Sequence, residues 1–182
     1  DAVTGDERGV AKTVNFSITY GISEFGLARD LGISRQEAGA YIKRYHEQYP
    51  KVILWLDQQA EIGKEQGYVQ TLFHRRRYLP ELTSQNYNVY QFGVRAAMNA
   101  PVQGTAADLI KIAMVKAIDA IRSADLDANI LLQVHDELIL EVDENVAEAA
   151  AVVLKCVMEE AMDLDVPLLA DTKIGPNWGE ME

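Results

Sequence analysis

The chain has 182 residues, 48% of them apolar, and a net charge of −11. That is enough apolar chain to bury a core, which excludes a disordered polymer, and the single cysteine excludes a disulfide framework. The acidic total argues against nucleic acid, but residues 1–79 carry 11 basic and 10 acidic side chains and residues 80–182 carry 6 and 18, so basic groups can still line one cleft.

In chain order, a polar lead-in from Asp1 to Glu7 runs into a helical pattern that reaches Tyr20 and stops at Gly21. Ile22 to Leu31 reads as a short helix ended by Gly32. Ser34 with Glu37 spells a capping box and opens a helix to about Tyr49. Pro50 suits the first position of the next helix, which runs to about Gln66 and stops at Gly67. Tyr68 to Phe73 alternates like a strand, and His74 to Arg77 reads as a basic turn before Pro80. Ser84 opens a helix to Asn99, with a break expected at Pro101. A second, longer helix is expected over Ala106–Ser123. Ile130–Val134 and Leu138–Val142 read as strands joined by His135-Asp136-Glu137 in a tight hairpin. Glu144–Met162 reads as a helix and Leu168–Ile174 as a last strand. Cys156, in an apolar helical run, reads as an inert core residue. With no disulfide framework a reducing cytosol fits; no signal peptide and no apolar run long enough for a bilayer is visible. Helices first, then helices around an antiparallel hairpin, make the class α+β.

Four groups of residues carry chemistry. Arg8, Lys12, Phe16 and Tyr20 recur every four residues, a helical stripe roughly 18 Å long, on the scale of a nucleoside triphosphate. Arg forks onto phosphate oxygens, Lys offers a charge and a proton, and the aromatics offer flat faces to sugar or base. Gly21 after them allows close approach. The alternative is an amphipathic helix with a solvated basic edge and two core aromatics. His135-Asp136-Glu137 places two carboxylates at a hairpin tip, where hard oxygens suit Mg²⁺; the alternative is a merely polar turn. Arg75-Arg76-Arg77 either holds phosphates or forms a solvated corner. Arg95, Asn99 and Gln103 either face base edges or cap helices around Pro101.

Together these segments resemble DNA polymerases of family A, the bacterial DNA polymerase I type. Arg8 to Gly21 looks like that family's nucleotide-binding helix, and Gln133-Val134-His135-Asp136-Glu137 resembles its palm hairpin. Leu72 to Pro80 and Asn99 to Asp108 also match, so the resemblance covers essentially the whole chain in order. It implies a fingers portion over 1–79 with the nucleotide-binding helix. A C-terminal palm portion with the metal-binding hairpin would follow over 80–182.

The resemblance also implies roles. Arg8 and Lys12 would bind the triphosphate of a deoxynucleotide, with Phe16 packing on its sugar and base. Lacking a hydroxyl, Phe16 implies discrimination against dideoxynucleotides. Tyr20 and Gly21 would sit at the templating base. Asp136 would hold a pair of Mg²⁺ ions, with Glu137 beside it and His135 near the primer terminus. Arg95, Asn99 and Gln103 would face the nascent duplex and template, and Arg75 to Arg77 would lie near DNA. The partners would be primer-template DNA, deoxynucleotides, and the upstream palm and thumb of the same polymerase. No membrane is implied. The location would be the cytoplasm and nucleoid of a bacterial or phage-infected cell, or an organelle.

Gly9 departs from the family, which usually has a second basic residue there. The family's other catalytic aspartate has no counterpart in the sequence, so the chain is expected to be an inactive fragment by itself. Two alternatives stay open: a relative of the single-subunit RNA polymerases, whose hairpin usually reads His-Asp-Ser, and a non-catalytic nucleotide- or DNA-binding remnant.

Overall fold

The computed structural model describes residues 3–181; Asp1 and Ala2, where the polar lead-in begins, and Glu182 lie outside the described residues. The first helix, α1 (Gly5–Thr19), starts at a capping box in which the Glu7 carboxylate accepts the Thr4 N–H at 2.8 Å and the Glu7 N–H donates to the Thr4 hydroxyl. Ser23 caps α2 (Glu24–Leu31), which ends on Gly32 in the left-handed region at φ 66. The Ser34–Glu37 box opens α3 (Arg35–Gln48) as expected. Pro50 leads α4 (Pro50–Gln66), and Gly67 at φ 76 ends it.

Val14 and Ile18 of α1, Leu27 of α2 and Ala38 of α3 form a buried cluster, with Ile42, Tyr45 and Ile53 packed around it. Leu27 is fully buried and contributes roughly 1.5–3 kcal/mol. A hydrogen bond from the Tyr45 hydroxyl to Asn15 Oδ1 at 2.8 Å ties α3 to α1.

The next segment differs from expectation. The strand is only β1 (Tyr68–Gln70), and Arg76 and Arg77 lie in its antiparallel partner β2 (Arg76–Tyr78) rather than in a turn. Thr71 shapes the connection: its hydroxyl accepts the N–H groups of Phe73 and Arg75, each at 3.2 Å. A single 3-10 turn, Pro80–Thr83, follows.

Helix α5 (Tyr87–Ser123) is unbroken, with Pro101 inside it, where two helices were expected. Proline offers no N–H to the carbonyl four residues back, a cost of about 3 kcal/mol in an exposed helix. Here the surroundings compensate. Ala97, Ala100 and Pro101 are buried, and the first two form a second core cluster with Val69 and Leu79.

Strands β3 (Ala128–Val134) and β4 (Glu137–Val142) form the expected hairpin, with a bulge at Leu131. The loop is shorter than expected, because Glu137 already pairs with Val134. A 3-10 turn (Glu144–Val146) precedes α6 (Ala147–Glu159), and just beyond its end the carbonyls of Glu160 and Ala161 accept from Lys116 Nζ at 3.1 and 3.2 Å.

Two further expectations fail. Leu168–Ile174 forms no strand; the Ala170 N–H instead donates to a Glu159 carboxylate oxygen at 3.0 Å. Cys156 is exposed rather than in the core, and a hydrogen bond to Glu160 pushes its thiol pKa up. The chain is α+β, with two small antiparallel sheets among helices. It divides into two compact units, residues 1–104 and 105–182. No helix among the described residues is long and apolar enough to cross a membrane.

Candidate nucleotide and nucleic-acid site

In α1 the burial of Val14 and Ile18 decides which face is free. Residues four apart share a side of a helix, and Phe16 lies about half a turn from both. Phe16 is accordingly 51% exposed and Tyr20 44% exposed, with Arg8 and Lys12 exposed along the same stripe. The aromatics are therefore not core residues, which removes the amphipathic-helix alternative in its original form. Arg8 and Lys12 form no ion pair with any described residue. Two cations and two rings stand on one open face, with the buried side of the helix anchored.

Gly21 follows at φ 73. A Cβ there would lie 3.3 Å from Arg95 Cγ and 3.6 Å from Met98 Sδ. Thus the end of α1 is seated on α5 beside Arg95. Met98 was not singled out in the sequence, although it lies three residues beyond Arg95 on the same helix face. Asn99 Nδ2 donates back to the Arg95 carbonyl at 2.9 Å. Its amide is partly used along α5, while its side-chain oxygen keeps acceptor capacity. Gln103, one turn on, is exposed. It lines a cavity of about 200 Å³ with Gln70, Thr71 and Arg75 to Arg77. The first unit therefore gathers two groups: the α1 stripe ending at Arg95, and Gln103 with the arginine hairpin.

The second unit carries the acidic tip. His135 and Asp136 are the two loop residues between paired Val134 and Glu137, and all three of His135, Asp136 and Glu137 are exposed. His135 sits at φ 53, a region that residues with a Cβ seldom occupy. Its carbonyl accepts from Gln133 Nε2 at 2.7 Å, which braces the turn. Such a conformation costs about 1–3 kcal/mol and persists where surrounding structure holds it. No group of three or more His, Cys, Asp or Glu side chains converges among the described residues. Asp136 and Glu137 offer hard oxygens but too few for a complete two-ion centre.

Residues 1–180 match the family described as DNA polymerase family A. The chain belongs to that family. Among its relatives, DNA polymerase I of Bacillus subtilis is 49% identical over 178 residues, covering 98% of this chain and 20% of the relative. The thermostable DNA polymerase I of Thermus filiformis is 51% identical over 173 residues, covering 95% of this chain and 20% of the relative. The POL domain of Pol1 from M. smegmatis, in complex with DNA primer-template and dNTP, superposes with a TM-score of 0.88 at 42% identity, covering 92% of this chain and 30% of that one. The chain spans about one fifth of the length of these curated relatives.

Proposed function

We propose that this family A chain is the nucleotide-binding and metal-binding part of a template-directed DNA polymerase. The observation that carries the reading is the open Arg8–Lys12–Phe16–Tyr20 face of α1, built on a buried Val14–Ile18 side. Two cations on one helix stripe, without carboxylate partners among the described residues, are available to an anionic ligand. Arg8 and Lys12 bind the triphosphate of the incoming deoxynucleotide. Phe16 packs on its sugar and base, and Tyr20 with Gly21 tests the templating pair. Arg95, Asn99 and Gln103 face the duplex and template, and Arg75 to Arg77 lie along DNA.

The primer 3′-hydroxyl attacks the α-phosphate and pyrophosphate leaves. Lys12 neutralises the leaving group and can give it a proton. Asp136, with Glu137 beside it and His135 near the primer terminus, suits one carboxylate position of a two-Mg²⁺ centre; a further aspartate from another palm strand completes it. When bound, the ions favour loss of the hydroxyl proton and offset charge on the reacting oxygens. Relatives that are DNA polymerase I at 49–51% identity favour DNA over RNA synthesis. By itself the chain is expected not to extend a primer.

The test is a chimera in which these residues replace the matching segment of the Bacillus subtilis relative. It should extend a primer on a DNA template. Asp136→Ala should abolish extension and Lys12→Ala should slow it by roughly 100-fold or more. A folded chimera that binds DNA and nucleotide but never extends would instead support a non-catalytic remnant.

A further inference from the structure

The open face of α1 must be held at one rotation about the helix axis, and the apolar contacts beneath it do not set that rotation by themselves. Val14 and Ile18 pack with Leu27 and Ala38, and apolar attraction has no direction. A hydrogen bond constrains both distance and angle. The Tyr45 hydroxyl of α3 donates to Asn15 Oδ1 of α1 at 2.8 Å, between residues 30 apart in the chain.

Asn15 stands at the border between the two sides of α1. At roughly 100° per residue it lies about 60° from Lys12 and about 100° from Phe16 on the open side, and about 100° from buried Val14. The other end of the bond is steadied by packing. The Tyr45 ring lies against the buried cluster, with the Tyr49 ring 4.9 Å away. Burial, with Tyr49 beside it, pushes the Tyr45 pKa up, so the hydroxyl keeps its proton at neutral pH. Asn15 is a neutral acceptor and adds no negative charge beside Lys12. The geometry is sensitive: a side chain about 5–6 Å from the helix axis moves about 1 Å when the helix turns by about 10°. A misplacement of that size can slow a reaction by up to about 100-fold.

We infer that Asn15 and Tyr45 are a positioning pair, whose hydrogen bond sets the rotation of α1 and so the aim of Lys12 and Phe16 at the incoming deoxynucleotide. The pair acts through the helix, without touching the nucleotide. This rests on the nucleotide reading of the α1 stripe.

The test places Tyr45→Phe, Asn15→Leu and the two together in the Bacillus subtilis chimera. Single-turnover extension gives deoxynucleotide affinity and rate, and anisotropy gives primer-template affinity. Each single variant should weaken deoxynucleotide binding about fivefold and slow extension about tenfold, with primer-template affinity unchanged. The double variant should stay within about twofold of either single one, because the second change removes nothing more. A bond that only holds the fold would lower the melting temperature and leave both nucleotide parameters at parent values. That result would overturn the inference, as would losses that multiply in the double variant. Should one single variant fail to fold, the other removes the same bond from its opposite end and decides. Lys12→Ala in the same assay separates the two readings. Undiminished nucleotide use by Lys12→Ala would sink the nucleotide reading and this inference with it. A loss in Lys12→Ala with none in Tyr45→Phe or Asn15→Leu would sink the inference alone.

Discussion

Gly21 lies against Arg95: a Cβ on the glycine would stand 3.3 Å from the arginine Cγ, and the glycine backbone has φ 73. The junction after the cation–aromatic helix therefore has two reasons to be glycine, backbone conformation and lack of room. Gly21→Ala should destabilise the first unit by about 1–2 kcal/mol from the left-handed backbone, with a further loss if Arg95 cannot yield. Chemical denaturation checks the stability. An unchanged midpoint would show that the junction relaxes freely.

Gly9 is the opposite case. It lies inside α1, and a Cβ built there meets nothing within 4 Å. Gly9→Ala should stabilise the helix by roughly 0.5–1 kcal/mol, because glycine is a poor residue in a helix interior. Gly9→Arg should add a cation one residue after Arg8 and tighten triphosphate binding. Thermal melting and calorimetry with a deoxynucleoside triphosphate and Mg²⁺ separate the two effects. A gain in stability without a gain in affinity would place position 9 outside the phosphate-binding face.

Gly104 is constrained by a single methyl group. A Cβ there would fall 2.6 Å from Thr71 Cγ2. Gly104→Ala should cost about 1–3 kcal/mol through overpacking. Thr71→Ser removes that methyl yet keeps the hydroxyl that accepts from Phe73 and Arg75. The double variant should recover most of the loss, as a double-mutant cycle in urea would reveal. Additive losses would mean the contact is not the cause.

The two capping boxes set an acid dependence. Hydrogen bonds from the Thr4 backbone and hydroxyl hold the Glu7 carboxyl below its ordinary pKa, and the Ser34 hydroxyl and backbone do the same for Glu37. A depressed folded pKa means the stabilisation is complete above the unfolded pKa, about 4.5, and is lost as pH falls through the lower folded value. Helicity and melting temperature should therefore fall below that pH. Glu37→Gln, which can still close a capping box, should show a shallower fall. Both carboxylates are fully exposed, so the effect should be modest. Identical acid profiles for parent and variant would refute the assignment.

The local signals were legible because their physics is local. Ser34 with Glu37, Pro50, Gly32 and Gly67 each act within one turn of backbone, and the helices start and stop where those residues direct. The spacing of Arg8, Lys12, Phe16 and Tyr20 likewise placed them on one stripe. It could not say whether the rings faced the core, since that depended on Val14 and Ile18 finding Leu27 and Ala38 from other helices.

Where sequence reading went astray, distant contacts had overridden local preference. Pro101 should break a helix, yet burial of Ala97 and Ala100 against Val69 and Leu79 sustains α5 through it. Arg76 and Arg77 read as a turn because a strand is defined by its partner, here Gln70 and Val69 across the hairpin. Leu168–Ile174 has strand composition without a strand partner, and the Ala170 N–H goes to Glu159 instead. By itself the sequence determined the family, the approximate bounds of the first four helices and the residue types available for chemistry, because each is written in short-range order. Only the tertiary structure decided which side chains are left open to a ligand, because burial is settled by residues far apart along the chain.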